Sequence, residues 1–471
     1  MSKTNNLHDY LADLYQGIAS KKPNASKNPQ DFRAEIEALG SIGGINGVVE
    51  QYTVNAGATV TAGDFVEFVN TFNKGEIISI NPEYMAACKL DNTRVLIACI
   101  EKYSTSYRSF VQVVSIEDNQ IVEGSPLFID VACNDLQTIH IIALNSNRAV
   151  VSAWKQQQTN GARWISMRLL SIDGLNVTSI DELSSNSLSG GWLHQIEALT
   201  DSTFLVAYEN DDDYGVVAAF STEGDTLKKM YSKTFFGSSS EVLYTSLSLI
   251  KLSATKALLL FGVRTRNTNG VRAVYVVVGF ENNAITLGSR DDINVSVSSH
   301  KSWCALDENT VIGVVNDLAY LIKVDGTFAR IAEKSTSLTG GNTATFPSIV
   351  PISTTQAVLV YQYATINSYA RIIRVSGEDL NTGIITGAIE FDNGKVDINQ
   401  LIAFSDSSVV NIFANEFIAG VGMTIDGDEI TLNQLTSTYV QPATSRLHNV
   451  GVAKTAGSAG EKINVYVVGE K

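Results

Sequence analysis

Pro347-Ser348-Ile349-Val350-Pro351-Ile352, a polar turn at Ser353-Thr354-Thr355, and the run Ala357-Val358-Leu359-Val360-Tyr361-Gln362 form a phrase that recurs seven times along the chain. Its parts are an apolar pair three residues apart, a polar turn and a β-run. Anchored at the start of the β-run, the copies fall at Val95, Ala149, Phe204, Ala257, Val311, Ala357 and Val409, with spacings of 54, 55, 53, 54, 46 and 52. Eight residues before the anchors stand Ala87, Ile141, Ile196, Leu249, Trp303, Ile349 and Leu401; five before stand Leu90, Leu144, Leu199, Leu252, Leu306, Ile352 and Phe404. All fourteen are apolar. In a chain that is 44% hydrophobic, a column apolar in every copy has a chance of about 0.003. Two such columns make a true repeat. A unit of this size cannot bury its own faces, so it must stack on its neighbours.

Within one copy the pattern predicts four strands, at Ser348 to Ile352, Ala357 to Gln362, Ala370 to Val375 and Ile384 to Phe391, parted by turns such as Gly377-Glu378-Asp379. Other copies show hairpin turns at Asp173-Gly174, Thr222-Glu223-Gly224 and Asp325-Gly326. Four strands per repeat of this length is the mark of a β-propeller. The expectation is an all-β chain with a seven-bladed propeller over 74–440. A pair of β-sandwiches would also have short, punctuated strands, but nothing in a sandwich demands seven copies in register. The outer strand of blade 7 has two candidates, Glu76 to Ile80 and Ile430 to Leu435, of which one is expected to take the place.

The 471 residues carry 34 Lys and Arg against 49 Asp and Glu, a formal charge of −15. No basic stripe offers a footprint for nucleic acid; Lys21-Lys22 stands where it complements a helix end. The polar start Met1-Ser2-Lys3-Thr4 is not a signal peptide, and the longest apolar runs are strand-sized, which predicts a soluble protein made in the cytosol without a membrane segment. The four cysteines Cys88, Cys99, Cys133 and Cys304 lack zinc spacing and are too few for a disulfide framework. Cys88, Cys99 and Cys304 fall inside the aligned strands, where a free thiol behaves as a small core hydrophobe; Cys88 and Cys99 could also face each other across a hairpin.

The ends differ from the repeats. Leu7, Leu11, Leu14, Tyr15 and Ile18 form a helical stripe that Pro23 stops, and Phe32, Ile36 and Leu39 form the face of a second helix that Asn28 caps, Pro29 opens and Gly40 ends. Helices this short need a partner for their apolar faces. The expected division is a helical anchor over 1–40, a first part of a small β-domain over 41–73, the propeller, and a second part over 441–471.

The repeats resemble the propellers of bacterial and phage surface proteins. Thr61-Ala62-Gly63-Asp64-Phe65-Val66 resembles the opening of a small β-barrel recurrent in phage head-decoration and tail-appendage proteins, and Gly451-Val452-Ala453-Lys454-Thr455-Ala456-Gly457-Ser458 through Val468 resembles its closing segment. Asn28-Pro29-Gln30-Asp31-Phe32-Arg33-Ala34-Glu35-Ile36 resembles a helix near the N-terminus of virion proteins from phages of Gram-positive hosts. The resemblance implies a virion structural protein whose propeller is inserted in a split barrel, with both chain passages side by side.

No catalytic constellation is evident: there is no sialidase-type Asp-box, no Gly-x-Ser-x-Gly elbow and no phosphate-cradling loop. His140, His194 and His300 enter three blades at unequal offsets of nine, ten and eleven residues from their anchors, a spacing that does not suit a metal site. The acidic loops Glu209 to Gly215 and Asp426 to Glu429 lack the calcium-loop pattern and read as solvated hairpins. The candidates for a glycan-binding surface are Tyr103 and Tyr107 in a blade 1 loop, Trp192 with His194 entering blade 3, and Tyr214. The chain is therefore expected to be a non-enzymatic tail-fibre or baseplate appendage without cofactor, binding a host-surface glycan; a capsid head fibre or decoration protein is the alternative, and a glycan-cleaving enzyme a further one. Its expected partners are other virion proteins, held through the N-terminal helices and small β-domain, and further copies of itself, with a trimer favoured.

Overall fold

The computed structural model describes residues 49–467 apart from 55–58, 61–64, 72–75, 79–81, 104–105, 118–119, 134–135, 157–162, 184–187, 238–240, 266–270, 294–300, 336–337, 339–343, 364–366, 382–397, 415–417, 436, 443–449, 454–456 and 459–461. The expected N-terminal helices therefore lie outside the described residues, as does the strand expected at 384–391. The chain divides into two compact units, 74–435 and the paired ends 1–73 with 436–471.

Unit 74–435 is all β: seven antiparallel sheets, one per repeat, each meandering from an inner strand through a second and third to an outer strand. This is the seven-bladed propeller. In blade 5, for example, Lys301–Asp307, Thr310–Val315, Leu318–Asp325 and Phe328–Lys334 follow one another. Every anchor residue lies in a second strand and is fully buried. The second and third strands carry near-continuous apolar runs because both faces of a blade are covered. One face of a second strand packs on the preceding blade and the other on the following one. Seven hydrophobic cores result, one in each interface, including Leu96, Val113 and Ala149 between blades 1 and 2 and Val410, Ile412 and Val95 between blades 7 and 1.

The polar turn of the repeat has a construction that repeats without exception. Four residues before each anchor stands Asp91, Asn145, Thr200, Ser253, Asp307, Ser353 or Ser405. In each, a side-chain oxygen accepts the backbone N–H two residues on, at 2.8 to 3.3 Å. The carbonyl of that second residue then accepts an N–H from the end of the third strand, at 2.7 to 2.9 Å, as Thr93 does from Ile116 and Ser407 from Ile425. The side chain thus holds the turn in a shape that ties three strands together.

Inner strands present an unpaired edge to the central channel, and neighbouring side chains satisfy part of it. The Ile349 N–H donates to Ser302 Oγ at 3.1 Å and the Leu401 N–H to Ser348 Oγ at 2.9 Å, while Asn399 Nδ2 donates to the Phe346 carbonyl at 2.9 Å.

In blades 1 and 4 the outer strand is interrupted halfway. In blade 1, Gln120–Glu123 and Leu127–Cys133 pair with successive stretches of the third strand, and in blade 4, Ala284–Leu287 and Asp291–Ile293 do the same. Gly124 and Gly288 mark these breaks, because a Cβ there would stand 2.1 Å from the Leu175 carbonyl oxygen and 1.8 Å from that of Thr327 in the next blade. Blades 2, 3 and 5 slip register at the same level.

Blade 7 uses this break to close the ring. Its third strand, Ile418–Asp426, pairs with Glu429–Gln434 along one stretch and with Glu76–Ile78 along the other. The expectation that only one of the two candidates takes the outer place is corrected: the place has two halves, and each fills one. Gln434 lies opposite Val421 and Glu76 opposite Ala419, so the chain enters and leaves the propeller side by side. Ile78 packs into the core between blades 7 and 1.

The terminal strands pair with each other. Val49–Val54 lies between Ser437–Pro442 and Lys462–Val467, and Phe65–Thr71 lies between Ser437–Pro442 and Val450–Ala453. Val450–Ala453 also pairs with Lys462–Val467.

Cys88 lies opposite Leu96 and Cys99 opposite Met85, so the two do not face each other, and they pack in different interfaces as the free core thiols expected.

The turn and the break generate a test. Asp307→Ala should lower unfolding free energy by about 1 kcal/mol, the net value of a lost hydrogen bond. Gly124→Ala should cost more, because its clash is with backbone; equal urea midpoints for this variant and wild type would contradict the close approach.

Candidate functional site

Tyr103 and Tyr107 do not occupy a loop. They lie in the second and third strands of blade 1, Tyr103 opposite Ser106 and Lys102 opposite Tyr107, and Tyr107 is half-buried against the core between blades 1 and 2. Trp192 lies in the inner strand of blade 3. Tyr214 is exposed, in a hairpin where Asn210 Oδ1 accepts the N–H groups of Asp212 and Tyr214 at 3.1 and 2.9 Å. That amide organises the acidic loop. Asp428 pairs with Arg374 of blade 6. Tyr107 and Tyr214, the aromatic candidates whose side chains are described, stand in blades 1 and 3, the one half-buried and the other exposed.

His194 is buried, and its two ring nitrogens lie 3.2 Å from Thr138 Oγ1 and 3.1 Å from Ser152 Oγ, both in blade 2. The His140 ring meets it edge to face, with centroids 4.6 Å apart. His300 lies outside the described residues, and among those described no three metal-ligating side chains converge. Burial holds His140 down to about 4, and burial together with the facing His140 holds His194 well below its usual value. The pair is a neutral polar joint between blades 2 and 3. Farther along the blade 3 inner strand, burial pushes Glu197 up to about 8 against the opposing pull of Lys251. Burial thus favours the protonated form of the Glu197 carboxyl.

Among the described residues, two cavities open on the face bearing the repeat turns. One, of about 450 Å³, opens at the seam between blades 7 and 1, bordered by Thr93, Ile116 and Glu117 on one side and Ser408, Gly422 and Asn433 on the other. Gly422 explains it. The third-strand residue opposite the one after the anchor is Val113, Leu169, Ala219, Val277, Leu321 and Ile372 in blades 1 to 6, each facing the next blade; in blade 7 it is Gly422. The second cavity, of about 400 Å³, lies between blades 3 and 4, bordered by Thr200, Thr203, Thr255, Phe280, Glu281 and Asn283. Both combine hydroxyls, amides and a carboxylate with an apolar wall, and neither is lined by Lys or Arg. The sequence reading missed them, although the glycine in an otherwise apolar column was visible.

The histidine pair and Glu197 have opposite pH signatures. Imidazoles depressed below the free value of about 6.5 stabilise the fold above that pH, and the contribution is lost as pH falls, for His140 by up to about 3 kcal/mol toward pH 4. A raised carboxyl such as Glu197 does the reverse, costing stability as pH rises from about 4.5 toward 8. Glu197→Gln should therefore gain stability over wild type at pH 8 and little at pH 4.5. His140→Gln/His194→Gln should show a shallower loss between pH 6.5 and 4, read from urea unfolding; an unchanged slope would remove the pair from this account.

No protein-family model matches the chain, and no curated protein does. Solved structures share its propeller. The BP39L lectin from Burkholderia pseudomallei is 9% identical over 76% of this chain and 99% of its own, with a TM-score of 0.47. The GH93 α-L-arabinofuranosidase of Fusarium graminearum is 9% identical over 64% of this chain and 92% of its own, at 0.42. The propeller domain of the trilobed protease from Pyrococcus furiosus is 11% identical over 78% and 99%, at 0.39. At these values the likeness is one of fold. The expectation of a chain that is not an enzyme is corrected to this extent: a propeller fold is compatible with glycoside hydrolase chemistry.

Proposed function

We propose that this chain is a glycan-binding appendage of a phage particle, with the propeller displayed on a mount built from both chain ends. The observation that carries the reading is the pairing of residues 49–71 with 437–467, together with the adjacent entry and exit at blade 7. Entry and exit at one blade suit insertion of the propeller between the two halves of another domain. The paired ends form the split small barrel that the sequence resemblance implies, and the helical segment 1–40 attaches it to particle proteins and to sister copies as a trimer. The tail is the proposed location.

Gold-labelled antibody against the propeller should decorate tails of intact particles; labelling confined to capsids would replace the tail reading with the head-fibre one, and no particle labelling would end both. Deleting residues 1–40 should leave the propeller's unfolding transition intact while abolishing particle attachment and trimerisation, measured by light scattering.

A second reading, cleavage of the bound glycan, is favoured by Glu197, an inner-strand residue whose burial favours the protonated carboxyl that a general acid requires. Incubation with host cell-wall polymer should show retention of the protein on the polymer. Release of reducing sugar that Glu197→Gln abolishes would establish hydrolysis.

A further inference from the structure

The two cavities occupy equivalent places in the repeat. Thr93 and Thr255 both stand two residues before their anchors, and their carbonyls accept the N–H groups of Ile116 and Phe280 at 2.7 and 2.8 Å. Glu117 and Glu281 are the next residues after these. Across each cavity, Ser408 and Thr203 both stand one residue before their anchors. Both cavities lie on the face formed by the inner-to-second turns, three interfaces apart one way round the ring and four the other. The third-strand position that faces the next blade holds Gly422 at one of these interfaces and Ala219 at the other, the two smallest residues in the column.

We infer that these are two equivalent subsites for neutral, polyhydroxylated units, which make one propeller bivalent toward a repeating glycan. The inference rests on the glycan-binding reading. Hydroxyl, amide and carboxylate groups around an apolar wall match a sugar ring, which has both hydroxyl edges and an apolar face. The absence of Lys and Arg from the linings, in a chain of charge −15, disfavours phosphorylated or acidic ligands. Two weak sites fixed on one rigid face gain affinity for a polymer that reaches both, by about a hundredfold or more over one site.

The test uses the full chain, a monosaccharide panel of glucose, galactose and N-acetylglucosamine, and soluble host cell-wall polymer. Calorimetry with the sugar that binds should give two equivalents per chain. Gly422→Val restores the apolar residue other blades carry and fills the 7–1 cavity; Ala254→Trp obstructs the 3–4 cavity from an exposed turn. Each variant, with wild-type thermal unfolding as its control, should bind one equivalent and lose about a hundredfold in polymer affinity, and the double variant should bind none. One equivalent in wild type, or a stoichiometry neither variant changes, would overturn bivalency and leave glycan binding elsewhere intact. If neither the panel nor the polymer binds wild type, the glycan reading fails along with this one.

Discussion

A blade of this propeller has two apolar faces and no way to cover either by itself. Everything else in the unit answers to that constraint. Each second and third strand shares its side chains between two interfaces, so removing one neighbour would expose a core such as Leu205, Ala219 and Ala257 to water, at about 25 cal/mol for every square ångström of apolar surface. Seven cores in a closed ring leave no terminal face. The price is that blades 7 and 1 must meet, although they are the farthest apart in sequence.

The polar turns make the stacking regular. Because a side chain four residues before the anchor shapes the turn and the following carbonyl catches the third strand, the inner three strands of each blade keep a common registry at that end. The apolar columns are consequently presented at the same height to each neighbour. This explains how copies with little sequence in common pack in the same way: the constraint falls on the turn chemistry and on a few apolar positions, while the remaining residues vary.

The propeller was legible in the sequence because it rests on periodic apolar columns, and the anchors proved to be fully buried. The turn column was legible too, in Asp91, Asn145, Thr200 and their counterparts, but was read only as polar. Other features depended on geometry that spacing does not encode. The shared outer strand of blade 7 looked like a choice between two segments because an unbroken strand was assumed; the breaks at Gly124 and Gly288 show that an outer strand here can come in halves. Tyr107 looked loop-like among Ser, Thr and Arg, yet its pairing opposite Lys102 places it in a strand. The cavities arise from a missing side chain, and an absence carries little signal until the strands are aligned across the ring.

The divided outer strand also orders events in time. Six interfaces can assemble as successive repeats leave the ribosome, each blade docking on the one before it. The Glu76–Ile78 segment, made first, has no partner until Ile418 has been made. Closing so long a loop has a substantial entropic cost, growing only slowly with length, and long-range pairing of this kind is slow to form. Until then the first blade's outward core, with Val95 and Ile97, lies open. The nascent chain is therefore a stack with two exposed ends, and its greatest hazard is that the free end of one chain pairs with the waiting face of another.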